Sequence, residues 1–275
     1  MKKKRILRVI GAALIVLLVW MFWANKALEV NNYIISSKRI PEAFDGFRIV
    51  HLSDLHNEEF GEENKVLLAI LRGYGPDMIA ITGDLVDSSR TDIDVAIAFA
   101  KKAAEIAPTY YVTGNHEYLM DGYEQLEAAL QNAGVEILQD EAVILEQDGQ
   151  SIRIAGFDDP CFGGTDYQAR LDGLKDTEER YTLWLSHRPE LFDVYARNQL
   201  DLVLSGHAHG GQFRLPFVGG LAAPGQGFFP QYDSGLYTEG ETNMIVSRGI
   251  GNSLIPMRFN NRPEVITVSL RKEWE

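Results

Sequence analysis

Cysteine is almost absent: Cys161 stands alone in 275 residues. That excludes an intramolecular disulfide and any CxxC zinc or redox pair, and the lone thiol is read as structural. Proline- or serine-rich linkers and internal repeats are also missing, so the length fits one large domain. Neither a Walker phosphate loop nor a G-x-S-x-G elbow occurs, which removes P-loop nucleotide hydrolysis and elbow-type serine chemistry. Arg248-Gly249-Ile250-Gly251 follows an apolar stretch but lacks the third glycine of a dinucleotide loop, and Pro256 interrupts the helix that should come next. What the chain does have is ordinary globular composition, 45% hydrophobic and 24% charged, sufficient to bury a core.

Charge is spread unevenly. Residues 1–26 hold Lys2, Lys3, Lys4, Arg5, Arg8 and Lys26 and no acid, leaving 20 basic against 39 acidic groups in the remainder. So acidic a body repels phosphate backbones, and nucleic acid is not expected as a partner. An anionic substrate would have to be held by local positive charge, which bound metal ions can supply. Behind the basic cluster, Val9 to Ala24 is an uncharged apolar run, extendable through Ile6, Leu7 and a snorkelling Arg8, with Trp20, Phe22 and Trp23 at its far end. Aromatic rings favour the membrane interface and basic residues the cytoplasmic side. Segment 1–30 is therefore read as an uncleaved signal anchor, a single-pass transmembrane helix that leaves the domain at 45–275 outside the cytoplasm. A cleaved signal peptide and secretion form the alternative, opposed by the missing A-x-A site. A buried core helix is opposed by the all-round apolarity of the run.

From Phe47 onward a short apolar strand, a polar loop and an amphipathic helix recur: FRIVHLSD then ENKVLLAILRGY, DMIAITGD then TDIDVAIAFAKKAAEI, TYYVTGNH then DGYEQLEAALQNAG. This alternation predicts βαβ crossovers, hence an α/β fold. AVILEQ and SIRIAGF flank Asp148-Gly149 and read as a hairpin. YTLWLS, DLVLSG, MIVSRGIG and EVITVSL add strands, PELFDVYARN a helix, and a second sheet packed on the first is expected with helices flanking both.

Polar residues concentrate where these strands end. The clusters are Asp54-Leu55-His56, Gly83-Asp84 with Asp87, Gly114-Asn115-His116-Glu117, Ser186-His187, and Gly206-His207-Ala208-His209-Gly210, and they hold five of the six histidines. Loops leaving the carboxyl ends of strands in such sheets converge on one crevice. Asp54 and His56, like His207 and His209, are two apart and can offer both side chains to one ion. Asp84 has two carboxylate oxygens and can bridge two cations, and Asn115 offers a neutral oxygen. Asp54, His56, Asp84, Asn115, His187, His207 and His209 make seven ligands, too many for one tetrahedral ion but suited to two divalent ions sharing Asp84. Imidazole and oxygen donors without thiolate suit Mn, Fe, Zn, Co or Ni better than Ca. Two such ions clamp an in-line displacement at phosphorus and generate the hydroxide nucleophile. His116, beside Asn115 and surplus to the ligand count, is assigned as the catalytic acid. Taken singly, Asp84 reads equally well as a helix cap, Asn115 as a turn residue and His187 as a core histidine; their joint occurrence carries the metal reading. His51 is read as structural. Asp87 and Glu117 either orient imidazoles or are solvated, and the loop charges Asp158, Asp159 and Arg248 are expected to be exposed.

At these clusters the chain resembles the calcineurin-like metallophosphoesterases, whose pattern D-x-H, GDxxD, GNH[DE], lone His, GHxH is matched in order between residues 54 and 209. The resemblance implies a four-layer α/β/β/α sandwich of two mixed sheets. It implies one ion held by Asp54, His56, Asp84 and His209, the other by Asp84, Asn115, His187 and His207, and His116 as the acid. Protein Ser/Thr phosphatases carry Arg-Gly after GDxxD where this chain has Ser88-Ser89, which speaks against phosphoprotein hydrolysis; purple acid phosphatases carry a ligand tyrosine where it has Asp87, so a coloured iron-tyrosinate site is not expected. With its apolar leader and the later stretches GGQFRLP and SRGIGNSLIPMRFNNRPEV, the chain looks like bacterial membrane-associated or exported phosphoesterases. Some of these act on lipid-linked or cell-envelope phosphates, including UDP-diacylglucosamine. The expected activity is hydrolysis of phosphate mono- or diesters or pyrophosphates, on a phosphorylated small molecule or a lipid-linked substrate. A non-catalytic extracytoplasmic metal-binding domain is the alternative.

Overall fold

Continuous apolar runs set the central strands, and the two faces of each enter different cores. The computed structural model describes residues 2–252 and 255–274, with Ala13 described by its backbone alone. Met1 and Glu275, the ends of the expected segments 1–30 and 45–275, lie outside the described residues, as do Ser253 and Leu254, just past the glycine pair weighed above as a nucleotide motif.

The chain begins with α1 (Lys2–Lys26), whose apolar window is nowhere buried against the body. At 1.5 Å per residue its 25 residues reach about 37 Å, enough to cross a hydrocarbon layer of about 30 Å. The first half of the body runs β1 (Glu29–Ser37), β2 (Arg48–Leu52), α2 (Lys65–Tyr74), β3 (Met78–Thr82), α3 (Ile93–Ala104), β4 (Thr109–Val112), α4 (Asn115–Leu119), α5 (Tyr123–Asn132) and β5 (Val135–Ile137). The second half opens with β6 (Glu141–Gln147), β7 (Gln150–Gly156), α6 (Pro160–Gly163), α7 (Tyr167–Gly173), β8 (Thr182–Leu185), α8 (Phe192–Arg197) and β9 (Leu202–Ser205). Two short hairpins follow, β10 (Arg214–Leu215) with β11 (Gly219–Gly220) and β12 (Ala222–Ala223) with β13 (Gly227–Phe228), before β14 (Gly235–Glu239), β15 (Thr242–Val246) and β16 (Glu264–Lys272).

The long strands form two six-stranded sheets, ordered β1-β16-β2-β3-β4-β5 and β14-β15-β9-β8-β7-β6. Each has a parallel centre, β2 to β5 in the first and β7, β8, β9, β15 in the second. Each also has antiparallel pairs, β16 with β2 in the first and β6 with β7 and β14 with β15 in the second. In β3, Ile79 and Ile81 join Leu67 of α2, Phe99 of α3 and Leu126 of α5 in one core. Met78 and Ala80 of the same strand join Leu183 and Leu185 of β8 and Leu202 and Leu204 of β9 in a core between the sheets. Trp184 and Val203 turn the other way, onto Leu171 of α7 and Phe192 and Tyr195 of α8. Three cores separate four layers, helices, sheet, sheet, helices, as expected. Asp148 (φ 50°) and Gly149 (φ 74°) make the tight β6–β7 turn, the backbone that a two-residue hairpin of type I′ demands.

Sheet one also contains a strand ahead of residue 45, where the domain was expected to start: β1 pairs in parallel along the whole of β16. Its sequence, EVNNYIISS, leaves every residue but Ile35 exposed or half-exposed at the sheet edge, so it lacks the apolar run that marks the central strands.

Candidate metal centre

The carboxyl ends of β2, β3 and β4 in one sheet and of β8 and β9 in the other open onto one place, because β3 packs across the inter-sheet core onto β8 and β9. Asp54 and His56 follow β2, Asp84 follows β3, Asn115 follows β4, His187 follows β8, and His207 and His209 follow β9. Two groups of buried ligand-type side chains result, Asp54, His56, Asp84 and His209, and Asp84, His187 and His207. Asp84 belongs to both. In the first, His209 Nε2 lies 3.3 Å from Asp54 Oδ1 and 3.2 Å from His56 Nε2, and His56 Nε2 lies 3.7 Å from Asp84 Oδ2. In the second, His187 Nε2 lies 3.2 Å from the same Asp84 oxygen and 3.1 Å from His207 Nδ1.

The backbone is strained to achieve this. Asp54, His56, Asp84, His207 and His209 all have positive φ, between 48° and 65°, a region that costs a non-glycine residue about 1–3 kcal/mol and recurs at functional sites. Neighbouring glycines make the close approaches possible. A Cβ on Gly114 would strike the Asp84 carboxylate, and one on Gly249 would meet Asp54 Cβ at 2.9 Å. Residues 249–251, weighed above as a nucleotide loop, instead brace the Asp54 turn: Ile250 N–H donates to Ser53 O and Gly251 N–H to Asp54 O.

Second contacts orient the imidazoles. His187 Nδ1–H donates to Thr82 O at 2.7 Å, which turns Nε2 toward Asp84. Arg258, fully buried, places Nη2 3.4 Å from His209 Nδ1. Arg188, held by Asp159, places Nη1 2.8 Å from His207 Nε2. Burial alone would raise the carboxyl of Asp84 and lower the imidazole of His187. Their mutual attraction prevails, holding Asp84 well below the carboxylate range and His187 up at about 10. Burial pushes His56 down to about 4 and holds His207 and His209 well below the histidine range, so these rings stay neutral, as cation binding requires.

His116 sits half-buried at the rim, its ring edge-on to His56 with centroids 4.6 Å apart. Ser88 N–H donates to His116 Nδ1 at 3.0 Å, which leaves the proton of the neutral ring on Nε2. His51 is buried within β2 with Nε2 2.8 Å from Thr82 Oγ1; it lies outside both ligand groups.

Several polar residues are placed otherwise than expected. Glu117 neither orients an imidazole nor meets solvent: it is fully buried and accepts N–H groups from Asp84, Leu85, Val86 and Gly114. Asp87 is buried as well, accepting from Ser89 and pairing with Arg90, which hold it down at about 2 against the opposing effect of burial. Asp158 and Asp159 are buried rather than exposed, the first accepting from Thr113 Oγ1, the second from Arg188. Arg248, also mostly covered, pairs with Glu264 and Glu29. Cys161, conversely, is exposed. Apart from the local partners of Asp87 and the Gly114–Glu117 bond, these contacts join loops distant in sequence, and no local spacing announces them. For Arg188 the only local hint is its place directly after His187.

The donor set fits divalent cations. Among the described residues neither Asp54 nor Asp84 has a Lys or Arg ion-pair partner; their close neighbours are imidazoles. Among the described residues Asn115 Oδ1 and His56 Nδ1 are buried without hydrogen-bond partners. Two buried carboxylates that no Lys or Arg neutralises, among imidazoles of which His56, His207 and His209 stay neutral, suit positive charge at their centre.

A fold of two packed mixed sheets with an Asp/His cluster at its strand ends defines a class of metal-dependent phosphoester hydrolases. The family model for calcineurin-like phosphoesterases matches residues 47–211, and the chain belongs to that family. It is 31% identical over 249 residues to the uncharacterized metallophosphoesterase YkuE of Bacillus subtilis, covering 89% of this chain and 86% of that protein. Over 239 residues it is 31% identical to the phosphodiesterase YaeI of Escherichia coli, covering 82% of each. A transmembrane protein with metallophosphoesterase domain of Bos taurus is 31% identical over 252 residues, which span 85% of this chain and 55% of that protein.

Proposed function

We propose that the chain hydrolyses phosphate mono- or diester or pyrophosphate bonds at two divalent ions that share Asp84, and that it acts on lipid-linked or cell-envelope substrates. The observation that carries this reading is the membership of Asp84 in both ligand groups. Asp54, His56, Asp84 and His209 would hold one ion, and Asp84, Asn115, His187 and His207 the other. Such ions, when bound, supply Lewis acidity to the phosphoryl oxygens and acidify the attacking water.

The protein's own side chains do the rest. Thr82 O fixes the rotation of His187, and Arg258 packs against the outer edge of His209. His116 acts as the charged ring, with Ser88 Oγ 3.0 Å from Nδ1 to accept that N–H; it delivers its Nε2 proton to the oxygen of the leaving group and returns to the neutral form. That a relative carries the name phosphodiesterase supports ester cleavage. The length and apolarity of α1 support a membrane span, and Lys2 to Arg8 support an amino terminus inside and a catalytic domain outside the cytoplasm. The acidic balance of the body supports a substrate other than nucleic acid.

The test is hydrolysis of p-nitrophenyl phosphate and its bis ester by full-length protein after chelation, then after re-addition of each divalent ion. Activity should vanish and return. A domain that binds the ions and cleaves neither ester would be the non-catalytic alternative.

A further inference from the structure

The anchor helix does not merely precede the body; it is built into the edge that carries the metal-binding loops. β1 starts opposite Glu264 of β16, and Ile266 of β16 pairs with His51 near the carboxyl end of β2, so α1 leaves the domain on the site's side. The joint is specific. The Asn25 side chain accepts Arg258 N–H at 2.9 Å and donates to Arg258 O, Arg262 lies over the ring of Trp23, and Trp20 meets Phe259 edge-on with centroids 5.7 Å apart. Trp20 is six residues before Lys26, about 9 Å back along the helix. The domain surface around Phe259 is thus held level with a turn that lies inside the apolar run.

Around Phe259 the surface is greasy. Phe213 bridges Phe259, and Gln212 Nε2 donates to Ile255 O and Met257 O, which joins the 255–259 loop to the two hairpins β10–β11 and β12–β13 that follow His209. Phe217 is fully exposed, Phe228 is 83% exposed, and Val218, Phe229, Ile255 and Met257 are exposed beside them. Segments 202–232 and 242–263 contain no Asp or Glu, in a chain with 39. In a water-soluble acidic body a surface of this composition is a contact surface.

We propose that this face docks on the lipid bilayer: the hairpin tips and the 255–259 loop enter the headgroup region beside α1, so that the metal centre opens at the membrane surface. The proposal rests on the reading of α1 as a bilayer span. Its occupant follows from continuity with α1, from the interfacial preference of Trp and Phe, and from the lack of acid within the two segments that build the face. Insertion of about 5–10 Å is what such surfaces reach.

The test uses full-length protein with Cys161→Ser, reconstituted in vesicles of phosphatidylethanolamine and phosphatidylglycerol that carry doxyl-labelled lipid. Single cysteines for an environment-sensitive fluorophore replace Phe217, Phe228, Val16 in α1, and Asp148 in the β6–β7 turn at the opposite end of the strands. Phe217→Cys and Phe228→Cys should lose emission to shallow doxyl groups, Val16→Cys to deep ones, and Asp148→Cys to neither. Quenching at Val16→Cys with none at Phe217→Cys and Phe228→Cys overturns the docking face while the span stands; no quenching at Val16→Cys removes the span and the proposal together. Neither outcome depends on hydrolysis, so the test is separate from that of the phosphoesterase reading.

Discussion

The backbone N–H of Asp84 donates to the carboxylate of Glu117 at 2.9 Å. The same carboxylate accepts Gly114 N–H at 2.7 Å and Leu85 N–H at 2.8 Å, so one buried side chain clamps the loop after β3 to the loop after β4. Glu117→Ala would leave these donors buried and unpaired. We expect a loss of about 3 kcal/mol in unfolding free energy, measured by urea titration, with weaker metal retention. An unchanged midpoint would show that the clamp is dispensable.

His116 is the side chain assigned to proton transfer, with Nδ1 fixed by Ser88. His116→Ala is expected to keep its metal and lose about 10² to 10⁴ in kcat. The loss should be smaller for a p-nitrophenyl ester, whose leaving group needs no proton, than for an alkyl ester. Equal losses on both would assign His116 to structure instead.

His51 gives the fold an acid-sensitive point. Burial lowers its imidazole to about 3, against about 6.5 in the unfolded chain. The neutral ring favours the folded state fully above the unfolded value, and that contribution is lost as pH falls from about 6.5 toward 3, at up to about 1.4 kcal/mol per pH unit. Comparing metal-free wild type with His51→Gln across that window should therefore show the variant losing less stability on acidification. Parallel pH profiles would contradict the sign.

The layer order and the gathering of Asp and His side chains at strand ends could be read from the sequence because both are local. The continuous apolar runs MIAIT and LVLS declare strands with two buried faces, and each ends directly in its Gly-Asp or Gly-His cluster. What could not be read depends on pairs of loops. Glu117 looks like any acidic helix residue until its four donors from two loops are seen, and Asp159 reads as exposed until Arg188 covers it. The strand Glu29–Ser37 was illegible because an edge strand needs no apolar run. Nor does any spacing rule signal that five of the seven candidate ligands take positive φ.

The claim on which the account depends is that Asp84 joins two ions. Crystals of full-length protein reconstituted with manganese, measured for anomalous scattering at the manganese edge, test it most directly. The account predicts two peaks flanking the Asp84 carboxylate about 3.5–4 Å apart, one against Asp54, His56 and His209 and the other against Asn115, His187 and His207. A single peak, or two peaks of which one lies away from Asp84, would contradict it.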